Sequence, residues 1–163
     1  MRYLVILNRR FPFKYGEAFL ENEVDEISKC FDRVIILPSD MTSRDEQTRV
    51  IKSSNVEVIT YEESSLKKRQ LSYCLGGLWD KKDSEAKGFR DWLYSGYFNH
   101  AVKLQCRNIY KAISKYNFNK EDTVVLYSYW LFISAKVAIS LKEVLQQHTN
   151  VICVSRAHAF DIY

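Results

Sequence analysis

Four short runs along this chain are apolar almost without interruption, and between them apolar residues recur every three or four positions. The runs are Arg2–Asn8, Arg33–Pro38, Thr123–Ser128 and Asn150–Ser155. An unbroken apolar run of this length reads as a β-strand buried on both faces. Val56–Thr60 alternates instead, which predicts an edge strand with one wet side. The first intervening segment, about Glu17 to Cys30, places Leu20, Val24, Ile27 and Phe31 on one helical face. Strand, helix, strand and strand again open an α/β, doubly wound, mostly parallel and Rossmann-like sheet whose first strand is central.

The remaining segments fit the same plan. Ser39 to Asn55 is polar and predicts a loop with a short helical turn. Glu62 to Asn117 reads as helical, with Phe98, Val102, Cys106, Ile109, Ile113 and Tyr116 in one stripe. Tyr73 to Gly96 is punctuated by Gly76, Gly77, Gly88 and Gly96, which predicts two or three helices with a mobile connection. Trp79, Phe89, Trp92, Tyr94 and Tyr97 fall in this part and form either a cap on the core or a surface patch. After the fourth strand a helix from Tyr129 to about Gln147 would turn Leu131, Ala135, Ala138 and Leu145 inward, with Ser128 as its cap. The sequence carries no internal repeat or linker, and 163 residues fit one Rossmann-like domain spanning 1–163.

Charge and composition narrow the partners. The chain is 47% apolar and 27% charged with a net charge of +4. Between Glu62 and Lys111 ten Lys/Arg face six Asp/Glu, so the whole surplus lies there. A basic, aromatic segment suits anionic lipid headgroups or a phosphate-bearing substrate, although a solvated face is the plainer account of any one cluster. Cys30, Cys74, Cys106 and Cys153 lie far apart, with no C-x-x-C and no histidine at ligand spacing, so reduced thiols and no metal or cofactor are expected. The apolar start, Tyr3 to Leu7, is too short for a signal peptide, and no apolar run reaches the roughly eighteen residues of a membrane span. A cytoplasmic protein is expected, with peripheral contact at the inner face of a membrane left open. No helix-turn-helix, zinc or RNP-like pattern points to nucleic acid.

The candidate chemistry gathers where strands end. The run into Ser155 breaks into Arg156, His158 and Asp161, the way a strand delivers polar groups to a ligand crevice. The first strand feeds a loop in which Arg9, Arg10 and Lys14 alternate with Phe11, Phe13 and Tyr15. That loop has Gly16 alone rather than G-x-G-x-x-G, and Glu17 follows directly, which suits sugar hydroxyls better than a pyrophosphate. Tyr127, Tyr129 and Trp130 stand at the end of the fourth strand.

Three of these stretches resemble one family. Phe11-Pro-Phe with Gly16-Glu-Ala-Phe-Leu-Glu-Asn-Glu-Val24, then Tyr127-Ser-Tyr-Trp-Leu131, then Ser155-Arg-Ala-His-Ala-Phe-Asp-Ile-Tyr163 are similar to the N-terminal half of family 4 retaining glycosyltransferases. Those enzymes have the two-domain GT-B architecture, and members that build bacterial capsule and exopolysaccharide are the nearest in pattern. The resemblance implies an acceptor-side domain of an enzyme that moves a sugar from a nucleotide-sugar donor to a saccharide or lipid-linked acceptor. It implies that the donor is held mainly by a C-terminal domain, carrying two glutamates eight residues apart, that this chain does not include. The fragment alone is expected to be inactive.

The resemblance places His158 in the cleft, against the transferred sugar, as the catalytic residue. Relatives commonly carry glycine after this histidine, where Ala159 stands here. Arg156 serves either an anionic acceptor or donor phosphate or an ion pair inside the domain, with Asp161 one candidate partner. Asp161 either binds substrate or caps a following helix. Arg9, Arg10, Lys14, Tyr15, Gly16, Glu17, Tyr127, Tyr129 and Trp130 are the expected acceptor-side contacts. The alternative is a non-catalytic, doubly wound ligand- or protein-binding module. A receiver module would need acids where Asn8 and Thr60 stand.

Overall fold

The computed structural model describes residues 1–80 and 88–157. Strands β1 (Arg2–Asn8), β2 (Arg33–Pro38), β3 (Val56–Val58), β4 (Thr123–Ser128) and β5 (Asn150–Ser155) pair in the order β3-β2-β1-β4-β5. Every pairing is parallel. β1 is central, and its residues Tyr3 to Leu7 are at most 6% exposed. Their side chains divide between two cores because alternate residues point to opposite faces. Leu4 and Ile6 meet Leu20 and Val24 of helix α1 (Ala18–Ser28). Tyr3, Val5 and Leu7 share the other core with helices α3 (Phe89–Ile113) and α4 (Ile133–Leu145). Full burial of each such aliphatic side chain contributes roughly 1.5–3 kcal/mol, so β1 anchors both cores.

With helices on both faces of an all-parallel sheet, the fold is the expected Rossmann-like, doubly wound α/β. The apolar stripe of the middle segment lies on α3: Val102, Ile109 and Ile113 are buried, and Phe98, Cys106 and Tyr116 pack against them. Between β3 and α3 lies α2 (Leu66–Gly77), and a short 3-10 turn, Ser114–Tyr116, follows α3. The predicted edge strand is found as β3. Among the described residues no helix is long and apolar enough to cross a membrane.

Five expectations need correction. β5 is an edge strand rather than a buried one, with Ile152 and Val154 51% and 47% exposed, because β4 flanks it on one side only. Ser39 to Asn55 forms turns but no helix; it is held by local bonds such as Thr42 N to Asp45 Oδ2 at 2.8 Å. The helix after β4 begins at Ile133, not Tyr129, and Leu131 is exposed. Ser128 is not its cap, because its hydroxyl donates to the Ser155 hydroxyl at 2.8 Å. Gly96 does not break α3, whereas the other glycines do mark helix ends: α2 stops at Gly77 and α3 starts after Gly88. A Cβ on Gly77 would stand 2.6 Å from the Gly96 carbonyl carbon, and one on Gly76 would overlap the His100 ring. These glycines are where α2 and α3 cross. The expected mobile connection falls on 81–87, outside the described residues.

Candidate functional site at the carboxyl ends of the strands

In the order β3-β2-β1-β4-β5 the chain winds outward in both directions from β1 and β4, and their carboxyl ends mark the switch point of the sheet. Strand pairing carries over into the loops. Tyr129 N donates to Leu7 O at 2.9 Å, Ser39 N to Asn8 O at 2.9 Å, and Arg156 N to Ser128 O at 3.0 Å. The loops after β1, β2, β4 and β5 therefore leave the sheet side by side.

Glu17 is the hub of the first loop. Its backbone lies in the left-handed region at φ 56°, after Gly16 at φ 108°. Such a φ costs a non-glycine residue on the order of 1–3 kcal/mol, so other contacts must hold it. Its buried carboxylate supplies them. Oε1 accepts from Arg9 N at 2.8 Å and from the Trp130 indole Nε1 at 2.7 Å. Oε2 accepts from Arg10 N and Phe11 N, both at 2.8 Å, and from Asn8 Nδ2 at 3.1 Å. Three successive amides thus converge on one anion, a concavity of the kind that binds external anions elsewhere. Here the protein fills it from within, and the side chain makes no capping bond to α1.

The expected cations are each paired. Arg9 Nη2 and Arg10 Nε lie 3.0 and 3.4 Å from Asp40 Oδ2, and Lys14 Nζ lies 3.2 Å from Asp45 Oδ1. Tyr15 is 96% exposed. Arg156 pairs with Glu23 on α1, its Nη1 donating to Oε1 at 2.7 Å and Oε2 at 2.9 Å. It also lies over the rings of Phe19 and Tyr129, at 5.4 and 5.5 Å. The Glu23 carboxylate beside it raises the affinity of the guanidinium for its proton further. The intradomain reading of Arg156 thus has a definite partner in Glu23. His158 and Asp161 lie outside the described residues.

These residues do not share one cavity. Arg9 and Trp130 line a crevice of about 210 Å³ that also takes in Asp40, Gln70, Tyr73, Tyr97, Gln105 and Ser134. Arg10 and Lys14 line a separate hollow of about 410 Å³ with Arg44, Asp40 and Asp45. Lys14, Tyr15 and Gly16 border a third, of about 690 Å³, with Phe13, Glu21 and Arg49. Tyr127, Tyr129 and Arg156 stack on the α1 side, with Tyr129 only 1% exposed.

The first crevice sits at the switch point, between the loops of β1 and β4, where open α/β sheets bind ligands. Its wall toward α2 and α3 is built from Tyr73 and Tyr97, edge to face at 5.7 Å, with Gln105 lining the same crevice. Burial pushes the Tyr73 hydroxyl above its ordinary value, so it stays protonated at neutral pH and can donate. Behind it lies a buried pair, Arg69 and Glu62, 3.6 Å apart. Arg69 also donates to the carbonyls of Ser39 and Ser64. Burial pushes the Glu62 carboxyl above the usual carboxylate range, and the Arg69 charge opposes that rise.

Gln70, Gln105 and Ser134 were not singled out from sequence. Gln105 stands inside the apolar stripe of α3 beside Cys106, a polar interruption that could have marked it. Amides, hydroxyls, one Arg–Asp pair and four aromatic side chains around a small volume suit a compact ligand with several hydroxyl or carbonyl groups. Among the described residues no three His, Cys, Asp or Glu side chains are placed to hold a metal ion. Comparison with protein-family models, curated proteins and solved structures finds no match to this chain.

Proposed function

We propose that this chain is the acceptor-side domain of a retaining glycosyltransferase, and that the crevice at the switch point receives a sugar of the acceptor. The observation that carries the reading is the crevice itself. Its volume of about 210 Å³ falls below the roughly 300 Å³ at which pockets for drug-sized ligands begin, a scale suited to a single sugar ring. Its Gln70 and Gln105 amides and Tyr73 hydroxyl offer paired donors and acceptors, while the rings of Tyr97 and Trp130 offer apolar faces.

A second support is that the three stretches resembling the family are in contact. The Glu17–Trp130 bond joins the first to the second, and Arg156, over Phe19 and Tyr129, joins the third to both. Retaining transfer of this kind lets the departing donor phosphate take the acceptor proton on the same face. The protein's part is then positioning and charge stabilisation rather than covalent catalysis. The donor would bind mainly to a second domain, with His158 facing the transferred sugar, and the product would be a capsular or exocellular polysaccharide or its lipid-linked precursor.

Titration of the chain with monosaccharides and with UDP- and GDP-sugars, followed by NMR, tests the reading. Saturable shifts at Gln105, Tyr97 and Trp130 are expected with an acceptor sugar, lost in Gln105→Ala, with no binding of the nucleotide sugars. Tight nucleotide-sugar binding without any saccharide binding would overturn it.

A further inference from the structure

Helix α2 is built inside out. Its buried positions are Arg69, Tyr73 and Gly77, whereas Leu71, Leu75 and Leu78 are 61%, 57% and 42% exposed. These leucines recur four and three residues apart and so form one outward stripe. Lys67 and Lys68, one helical turn before Leu71, flank that stripe on either side and are both exposed. Trp79 follows at 90% exposure, and Phe89, which opens α3, is 75% exposed. No acidic residue occurs anywhere in Leu66–Gly77.

We propose that the outward face of α2 docks on a bilayer surface carrying anionic lipid headgroups. The charge of the face selects this occupant. An interfacial helix presents leucines and an indole to the headgroup–acyl boundary, while lysines beside them keep their stems on the apolar surface and their ammonium groups among the phosphates. α2 and the Leu78–Trp79 pair that follows it supply each of these parts; α2 carries no acid, and Asp80 beyond Trp79 is paired with His100 and Lys103. The buried Arg69–Glu62 pair fixes which way the helix faces, because turning the leucines inward would carry Arg69 out of its contacts with Glu62, Ser39 and Ser64. The inference stands on α2 and the residues that follow it, and is independent of the acceptor reading.

Co-sedimentation of the chain with vesicles tests it, using pure phosphatidylcholine and phosphatidylcholine mixed with phosphatidylglycerol. The chain is expected to partition at least about tenfold more strongly onto the anionic vesicles, and added salt should weaken that binding. Lys67→Glu with Lys68→Glu should abolish the preference, and Leu71→Ser with Leu75→Ser should abolish binding to both. Trp79 fluorescence should shift to the blue on anionic vesicles, a change absent in Trp79→Phe. All these side chains are exposed, and unchanged circular dichroism and melting confirm that each variant folds. Absence of vesicle binding, or equal binding by the chain and both double variants, overturns the proposal. So does concentration-dependent self-association in sedimentation velocity that Leu71→Ser with Leu75→Ser removes, which would give the face to a second copy.

Discussion

Helices α1 and α2 are nearly the same length, 11 and 12 residues, and they bury opposite chemistry. α1 turns Leu20 and Val24 into the sheet and leaves Glu21 and Glu26 outside. α2 turns Arg69 and Tyr73 inward and leaves Leu71 and Leu75 outside, with Leu78 just past its end. The difference follows from what each helix covers. α1 lies on a hydrophobic sheet face, so its inward stripe is apolar. α2 closes the polar end of the sheet, where the loop carbonyls of Ser39 and Ser64 need donors, and arginine supplies them. A helix beside the crevice is thus shaped by that polar floor, and its apolar residues are displaced outward.

The largest test of this contrast is Arg69→Met. It leaves the buried Glu62 carboxylate without its counter-charge and should cost about 3–5 kcal/mol in urea denaturation. A cost below about 1 kcal/mol would place Arg69 with ordinary surface cations. Next comes Leu20→Ala in α1, fully buried, with an expected loss of about 2–5 kcal/mol.

Glu62→Gln sharpens the comparison through pH. Because burial raises the Glu62 carboxyl from its ordinary 4.5, the folded chain binds this proton more tightly than the unfolded chain does. Its stabilising contribution is full below the ordinary value and is lost as pH rises through the folded one. Melting curves should show the unmodified chain losing stability relative to Glu62→Gln as pH climbs from acid toward neutrality. Asp25, Asp45 and Asp122 are shifted downward, chiefly by hydrogen bonds, and lose their contribution as pH falls; both proteins share them, so the difference isolates Glu62. A difference that does not vary with pH would contradict the raised carboxyl. The smallest effect belongs to Leu75→Ala on the outer face of α2, expected within about 0.5 kcal/mol by the same denaturation. A larger loss would mean that the leucine stripe already packs on the protein.

What could be read from the residues depends on how local its cause is. β1 and the α1 face were legible because an unbroken apolar run and a helical stripe each report directly on what covers them. β5 reads as a short apolar run just as β1 does, yet it is an edge, because apolarity does not reveal which neighbour is present. Gly96 reads as a break because a lone glycine weakens a helix. Its use is a close crossing with Gly77, which only the partner helix explains. The crevice was least legible. Its location followed from strand ends, but Gln70, Gln105 and Ser134 come from three helices whose convergence no local spacing encodes. Glu17 was found for its place after Gly16, whereas the donors that occupy it come from Asn8 to Phe11 and from Trp130.

The carboxylate of Glu17 also makes its surroundings cooperative. The amides of Arg9, Arg10 and Phe11 share this one acceptor group, so a single rotation of the side chain frees all three at once. Their hydrogens should therefore exchange with solvent at one common opening free energy rather than three. The same event breaks the bond to the indole of Trp130, 113 residues further along the chain. The two loops that flank the crevice thus open as one unit, and whatever holds one of them ordered holds the other.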